Sequence, residues 1–186
     1  KAGVRTSEHA TLGDDEALEA MAEAGVYLIS TLSSNFWMLR AAGKKGIPKF
    51  MFEKAEEVSK IRLETLRKAL DKGVKVIMGT DAGTPYNFHG KNSMELVQYV
   101  EKGLMSEMEA IIASTATAAE AVGLGPCLGT LEPGKLADCL VLNRDPLKDI
   151  KGLLDIDNIY MVLKDGALIK GEVDANHWHT SSSLCL

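Results

Sequence analysis

The sequence predicts an α/β fold: parallel βαβ units first, then a small antiparallel β unit. Two observations predict it. Up to Gly123, short β-branched runs alternate with amphipathic stretches at three-to-four spacing, the pattern of strands joined by crossover helices. Beyond Gly123 that spacing stops, and Lys164-Asp165-Gly166 divides two apolar runs. Asp-Gly suits a type I′ turn, so this is a hairpin signal.

The elements follow in order. Gly3-Val4-Arg5-Thr6 reads as a first strand, with His9 just after it. Asp14 can cap a helix over residues 14–23, where Ala17, Leu18, Met21 and Ala22 share a face and Gly25 is the stop. Val26-Tyr27-Leu28-Ile29-Ser30-Thr31 is a strand by β-branched content. Residues 33–46 read as a longer loop carrying Ser33, Asn35, Phe36 and Trp37. Pro48 opens a long helix to about Lys72, its stripe made by Phe52, Ala55, Val58, Ile61, Leu66 and Leu70. Val74-Lys75-Val76-Ile77-Met78 is a short buried strand that ends in the loop Gly79-Thr80-Asp81-Ala82-Gly83-Thr84-Pro85. Ser93 can cap a helix through Glu101, Ser106 starts another with Met108, Ile111 and Ile112, and residues 115–122 make a third. Cys139-Leu140-Val141-Leu142 and the two hairpin arms form the β tail. After about Val173 the chain turns polar and serine-rich and is expected to fray.

Composition narrows the function classes. The 186 residues suffice for one domain, or one with an appendage, and 46% apolar content supports a core. A net charge of −5 with scattered basic residues argues against a nucleic-acid surface. No apolar stretch is long enough for a bilayer, and no signal-peptide pattern is present. The first residue is Lys1, inside strand-like sequence, which reads as a fragment, a processed chain or a partly given one. Cys127, Cys139 and Cys185 are far apart with no Cys-x-x-Cys, which disfavours a zinc ribbon or disulfide framework and fits reduced thiols in a cytoplasmic setting.

Two residues carry the candidate chemistry. A carboxylate at the C-terminal end of a parallel strand, as Asp81 is placed, sits where α/β enzymes keep their reacting groups. His9 has the same relation to its own strand, so the two form a candidate metal-and-base pair. The plainer readings are a loop carboxylate that satisfies backbone N–H groups and a strand-end or helix-capping histidine. His89, Tyr86 and Asn87 share the loop region after Asp81 and are either substrate contacts or surface. His177-x-His179 has metal-pair spacing but lies behind the β tail with no acidic neighbour, and reads as incidental. Residues 79–83 are not a phosphate loop, since neither Gly-x-Gly-x-x-Gly nor a lysine-bearing P-loop occurs.

Together these motifs resemble a known family. Ser7-Glu8-His9-Ala10-Thr11 with Asp14-Asp15-Glu16-Ala17-Leu18, then the Asp81 loop, then His89-Gly90-Lys91-Asn92 and Glu95-Leu96, resembles the amidohydrolase superfamily. The branch is that of imidazolonepropionase and the Xaa-Pro dipeptidase-like metal-dependent hydrolases. Gly129-Thr130-Leu131-Glu132-Pro133-Gly134-Lys135-Leu136-Ala137-Asp138 is similar to the family's return into its β-sandwich, and the likeness runs from Lys1 to about Gly171.

The resemblance implies the C-terminal part of a (β/α)8 TIM-like barrel. His9 would end strand six and Thr31 strand seven, with Asp81 just after strand eight. Residues 1–123 would be partial barrel, 124–173 the C-terminal portion of the sandwich and 174–186 a flexible tail. It implies hydrolysis of a C–N bond in a small amide, dipeptide or cyclic amide by a metal-activated water. His9 and Asp81 would be ligands to one or two zinc ions or another divalent metal, with Asp81 also the proton shuttle and His89 and Tyr86 substrate contacts. The family also needs a His-x-His pair after strand one, a carboxylated lysine or acidic substitute on strand four and a histidine on strand five. Those would come from an upstream segment or a companion chain, so the isolated chain is expected to be inactive; a homo-oligomer is compatible. The rival expectation is an inactive α/β fragment serving as a binding or assembly unit.

Overall fold

The computed structural model describes residues 2–41 and 48–172. Its first sheet has three parallel strands in the order β1 (Thr6–Glu8), β2 (Tyr27–Ser30), β3 (Val76–Met78). Helix α1 (Asp15–Ala24) joins β1 to β2, and α2 (Leu32–Arg40) and α3 (Lys49–Asp71) lie between β2 and β3. Asp14 caps α1 by accepting from the Ala17 amide at 2.9 Å, and Gly25 closes it in the left-handed region, as the sequence predicts. The first strand lies closer to His9 than expected, because the ladder to β2 pairs Thr6, Ser7 and Glu8 with Tyr27, Leu28 and Ile29.

The ladder runs past the strand ends. The His9 amide donates to Ile29 O at 2.9 Å and the Gly79 amide to Ser30 O at 3.1 Å. The end of β2 thus fixes both flanking loops. Gly79 is required there: a Cβ on it would sit 2.3 Å from Ile29 Cγ2. Beneath this rim Leu18, Leu28, Leu66, Val76, Leu96 and Tyr99 form a buried core with the helices.

The expected loop over 33–46 is corrected in its first part. Residues Leu32–Arg40 form α2, and residues 42–47 lie outside the described residues. Ser33, Ser34 and Asn35 are indifferent helix formers, but Phe36 and Trp37 pack on the core and give the segment a buried face. Thr31, at its N-cap position, makes no side-chain cap.

Three helices follow: α4 (Met94–Glu101), α5 (Glu107–Ser114) and α6 (Ala116–Ala121). Ser93 does not cap α4 as expected; its own backbone is already helical and its side chain makes no cap bond. Ser106 does cap α5, in a reciprocal capping box with Glu109.

The tail forms a second, antiparallel sheet in the order β4 (Cys139–Leu142), β5 (Ile159–Lys164), β6 (Ala167–Lys170). Asp165 and Gly166 both have positive φ, as a type I′ turn demands. Asp138 ties this turn to the approach to β4, accepting from the Asp165 amide at 2.6 Å and from Lys164 Nζ at 2.7 Å. Two 3₁₀ turns, Ile150–Leu154 and Ile156–Asn158, were not anticipated; Ile150 is buried in the main core. The expected fraying after Val173, Cys185 and the His177-x-His179 pair lie outside the described residues. Among the described residues no helix is long and apolar enough to cross a membrane.

Candidate active site

His9 and Asp81 meet on one rim, beyond the C-terminal ends of β1 and β3. His9 Nδ1 lies 3.8 Å from Asp81 Oδ2, with side chains 42% and 37% exposed. Both backbones are left-handed, at φ 65° for His9 and 50° for Asp81, and so are Ala10 and Tyr86 in the same two loops. This conformation costs a residue with a side chain about 1–2 kcal/mol and collects at functional sites.

Thr31, at the end of the central strand, anchors the imidazole. Its Oγ1 is 2.7 Å from His9 Nδ1. The same oxygen accepts from Arg62 Nη1 at 2.9 Å, and the Thr31 carbonyl accepts from that nitrogen at 3.0 Å. Arg62 Nε also donates to Thr11 Oγ1 at 3.2 Å, in the loop that follows His9. The guanidinium therefore braces both strand ends from α3. Burial draws its pKa below the usual arginine value, while the charges of Asp81 and Glu95 oppose the shift.

Glu95 of α4 is fully buried beneath the rim. One carboxylate oxygen accepts from the Ser30 hydroxyl and from the Leu32 amide at 2.9 Å; the other accepts from the Ser33 amide at 2.7 Å. Burial pushes its carboxyl above the usual range, and the donors of Ser30, Ser33 and Leu32 pull it back. Glu95 thus supplies α2 with the N-terminal acceptor that Thr31 does not.

The loop after Asp81 closes on itself. Asn87 is buried; its side-chain amide donates to Thr80 O, and its carbonyl accepts from the Gly83 amide at 2.8 Å. Asn87 is thus a loop brace. Tyr86 is half-buried in that loop, and His89 is exposed, its Nε2 over Gly83, 3.7 Å from where a Cβ would stand. Phe36 and Trp37 meet edge to face at 5.0 Å and pack on the core.

Among the described residues, His9 and Asp81 are the imidazole and carboxylate that meet at this rim. The described residues hold no cluster of three or more His, Cys, Asp or Glu side chains. One imidazole and one carboxylate fit part of a zinc site, which takes at least three protein ligands. A cleft of about 410 Å³ lies elsewhere, at the start of β1 and β2, lined by Arg5, Tyr27, Glu120 and Lys135 among others. Its Glu120 already accepts from Lys75 at 3.1 Å and Tyr27 at 3.4 Å, so it is a braced junction at the end of the sheet opposite His9 and Asp81.

Sequence reasoning missed Arg62 and the role of Glu95. The signal was present in each: Arg62 is a cation in the stripe that includes Val58, Thr65, Leu66 and Ala69, and Glu95 is a carboxylate inside the buried run 94–99.

Comparison with known proteins supplies the context. Residues 1–169 match the family described as the amidohydrolase family. The chain is 34% identical over 172 residues to ochratoxinase of Aspergillus niger, covering 92% of this chain and 35% of that protein. It is 27% identical over 172 residues to imidazolonepropionase of Geobacillus thermodenitrificans strain NG80-2, covering 91% and 35%. A crystal structure of a Xaa-Pro dipeptidase with methionine bound in its active site superposes with a TM-score of 0.80 at 38% identity, covering 91% of this chain and 41% of that one. The chain thus spans about a third of the length of these curated relatives.

Proposed function

We propose a function from the premise that this chain belongs to the amidohydrolase family: it is the C-terminal part of a hydrolase that cleaves the C–N bond of a small amide, dipeptide or cyclic amide. In this reading β1, β2 and β3 are barrel strands six to eight, residues 1–123 are partial barrel, and residues 124–173 belong to the β-sandwich. The observation that carries it is the convergence of His9 and Asp81, at 3.8 Å, beyond the ends of parallel strands. The remaining barrel strands come from an upstream segment or a companion chain.

His9 and Asp81 would hold zinc or another divalent ion, as one ion or one of two, with the missing donors supplied by the rest of the barrel. Bound there, the metal supplies Lewis acidity that polarises the scissile carbonyl and acidifies water. The Nδ1 of His9 is turned to Thr31 Oγ1 at 2.7 Å, so Nε2 is the ring nitrogen left for the metal. Asp81 takes a proton from the attacking water and returns it to the leaving nitrogen. Arg62 holds Thr31 and the Thr11 loop, so the imidazole keeps one orientation. His89 and Tyr86 contact the substrate from the loop region beyond Asp81.

The test is an assay of the full-length protein that carries this chain, against Xaa-Pro dipeptides, N-acyl amino acids and cyclic amides, before and after chelation. Proline-ended dipeptides come first, given the 38% identity to a Xaa-Pro dipeptidase. Chelator-sensitive turnover is expected; a metal-loaded protein inert toward all three classes would end the reading. A second reading, a binding or assembly unit without activity, draws on β1 and β3, which each pair on one side only among the described strands. It predicts that the inert full-length protein still associates with a partner chain.

A further inference from the structure

We propose that Glu95 is a positioning residue of this site: its buried carboxylate locks the turn between β2 and α2 and, through Thr31, the imidazole of His9. Its kinetic consequence rests on the hydrolase reading; its structural consequence does not.

Thr31 and Asp81, which both face the His9 ring, differ in rigidity. Asp81 is more than a third exposed and sits in a loop, whereas Thr31 is 1% exposed at the end of the central strand. The orientation of the ring is therefore set by Thr31. Two buried ionisable groups from different helices hold that residue. Arg62 of α3 donates to its hydroxyl and its carbonyl. Glu95 of α4 takes the residues on either side: the Ser30 hydroxyl before it, and the Leu32 and Ser33 amides after it.

Three hydrogen bonds converge on Glu95, and the Leu32 and Ser33 amides, which can only donate, each hold one of its carboxyl oxygens. An amide in its place would turn a donor toward one of them. A buried charge contributes little to net stability once its desolvation is counted. The gain from placing a carboxylate here is geometric: it leaves Thr31 one position, and with it the imidazole.

Glu95→Gln in the full chain tests this. The replacement has the same shape but offers one of the three donors an NH₂ group. It is expected to fold, with the Leu32 and Ser33 amides exchanging about tenfold faster than in the wild type. The ¹⁵N resonances of the His9 ring should shift, while those of His89, exposed over Gly83, should not. Thr31→Val severs the link, so in that background Glu95→Gln should leave the His9 ring unmoved. In the full-length enzyme kcat should fall about tenfold with KM within about twofold, the pattern of a misplaced catalytic group beside an intact binding surface.

A folded Glu95→Gln chain with wild-type His9 resonances would overturn the proposal, as would an equal His9 shift with and without Thr31. If Glu95→Gln does not fold, Ser30→Ala removes one donor alone and is judged by the same two outcomes. Absence of turnover in the wild-type protein would strike the hydrolase reading, and the His9 resonances would still decide the role of Glu95.

Discussion

The Thr31 hydroxyl joins His9 Nδ1, at 2.7 Å, to Arg62 Nη1, at 2.9 Å, so the exposed imidazole of the rim rests on a buried cation from α3. Arginine can only donate, which makes Thr31 Oγ1 an acceptor on that side and a fixed neighbour for the His9 ring. Asp81, in the loop after β3, completes the group at 3.8 Å from His9 Nδ1.

The proton-transfer role of Asp81 is tested by Asp81→Asn in the full-length protein. General acid–base catalysis is worth about 10²–10⁴-fold, and kcat should fall by that order. Asparagine tolerates the left-handed backbone that Asp81 adopts, so circular dichroism and melting should stay near wild type. Wild-type turnover would remove Asp81 from the mechanism.

The left-handed conformation of His9 separates two substitutions. Alanine bears the full steric strain at φ 65°, whereas asparagine is at home there. His9→Ala should therefore be about 1 kcal/mol less stable than His9→Asn in denaturant titrations. Equal midpoints would mean that the loop relaxes to another backbone conformation.

Gly79 carries the close approach of β3 to β2. In Gly79→Ala the new methyl carbon would meet Ile29 Cγ2 at 2.3 Å and Ser30 O at 3.1 Å. Overpacking of this kind costs about 1–3 kcal/mol, so the melting temperature should drop clearly. An unchanged melting temperature would show that the strand end yields.

The tail sheet has its own pH dependence. The hydrogen bond from Lys164, and then that from the Asp165 amide, hold the Asp138 carboxyl below its ordinary value of 3.8. The unfolded chain therefore takes up this proton first. The stabilisation is present above about pH 3.8 and is lost as the pH falls through the lowered value. Asp138→Asn should cost about 1 kcal/mol at neutral pH and flatten this acid limb, as read by thermal melts at a series of pH values.

Much of the scaffold was legible in the sequence because local chemistry specified it. Asp14 and Gly25 bound α1, Pro48 opens α3, and Asp165-Gly166 makes the hairpin turn. The left-handed positions of His9 and Asp81 also fit their strand-end placement. What sequence reading missed depends on long-range contacts. Helix α2 looked like a loop because its N-terminal acceptor is Glu95, far along the chain. Arg62 drew no reading at all, since nothing local shows that Thr31 and Thr11 lie within its reach. Ser93 misled in the other direction: the right residue type stands at the helix start, but its helical backbone makes no cap bond.

The central claim is that His9 and Asp81 serve one shared cation once the rest of the barrel is supplied. A crystal structure of the full-length protein grown with zinc, with anomalous scattering recorded across the zinc edge, tests it most directly. An anomalous peak bonded to the Asp81 carboxylate and to the His9 ring nitrogen that Thr31 leaves open is the predicted result. A peak held by other residues, with either side chain turned away from it, would contradict the account.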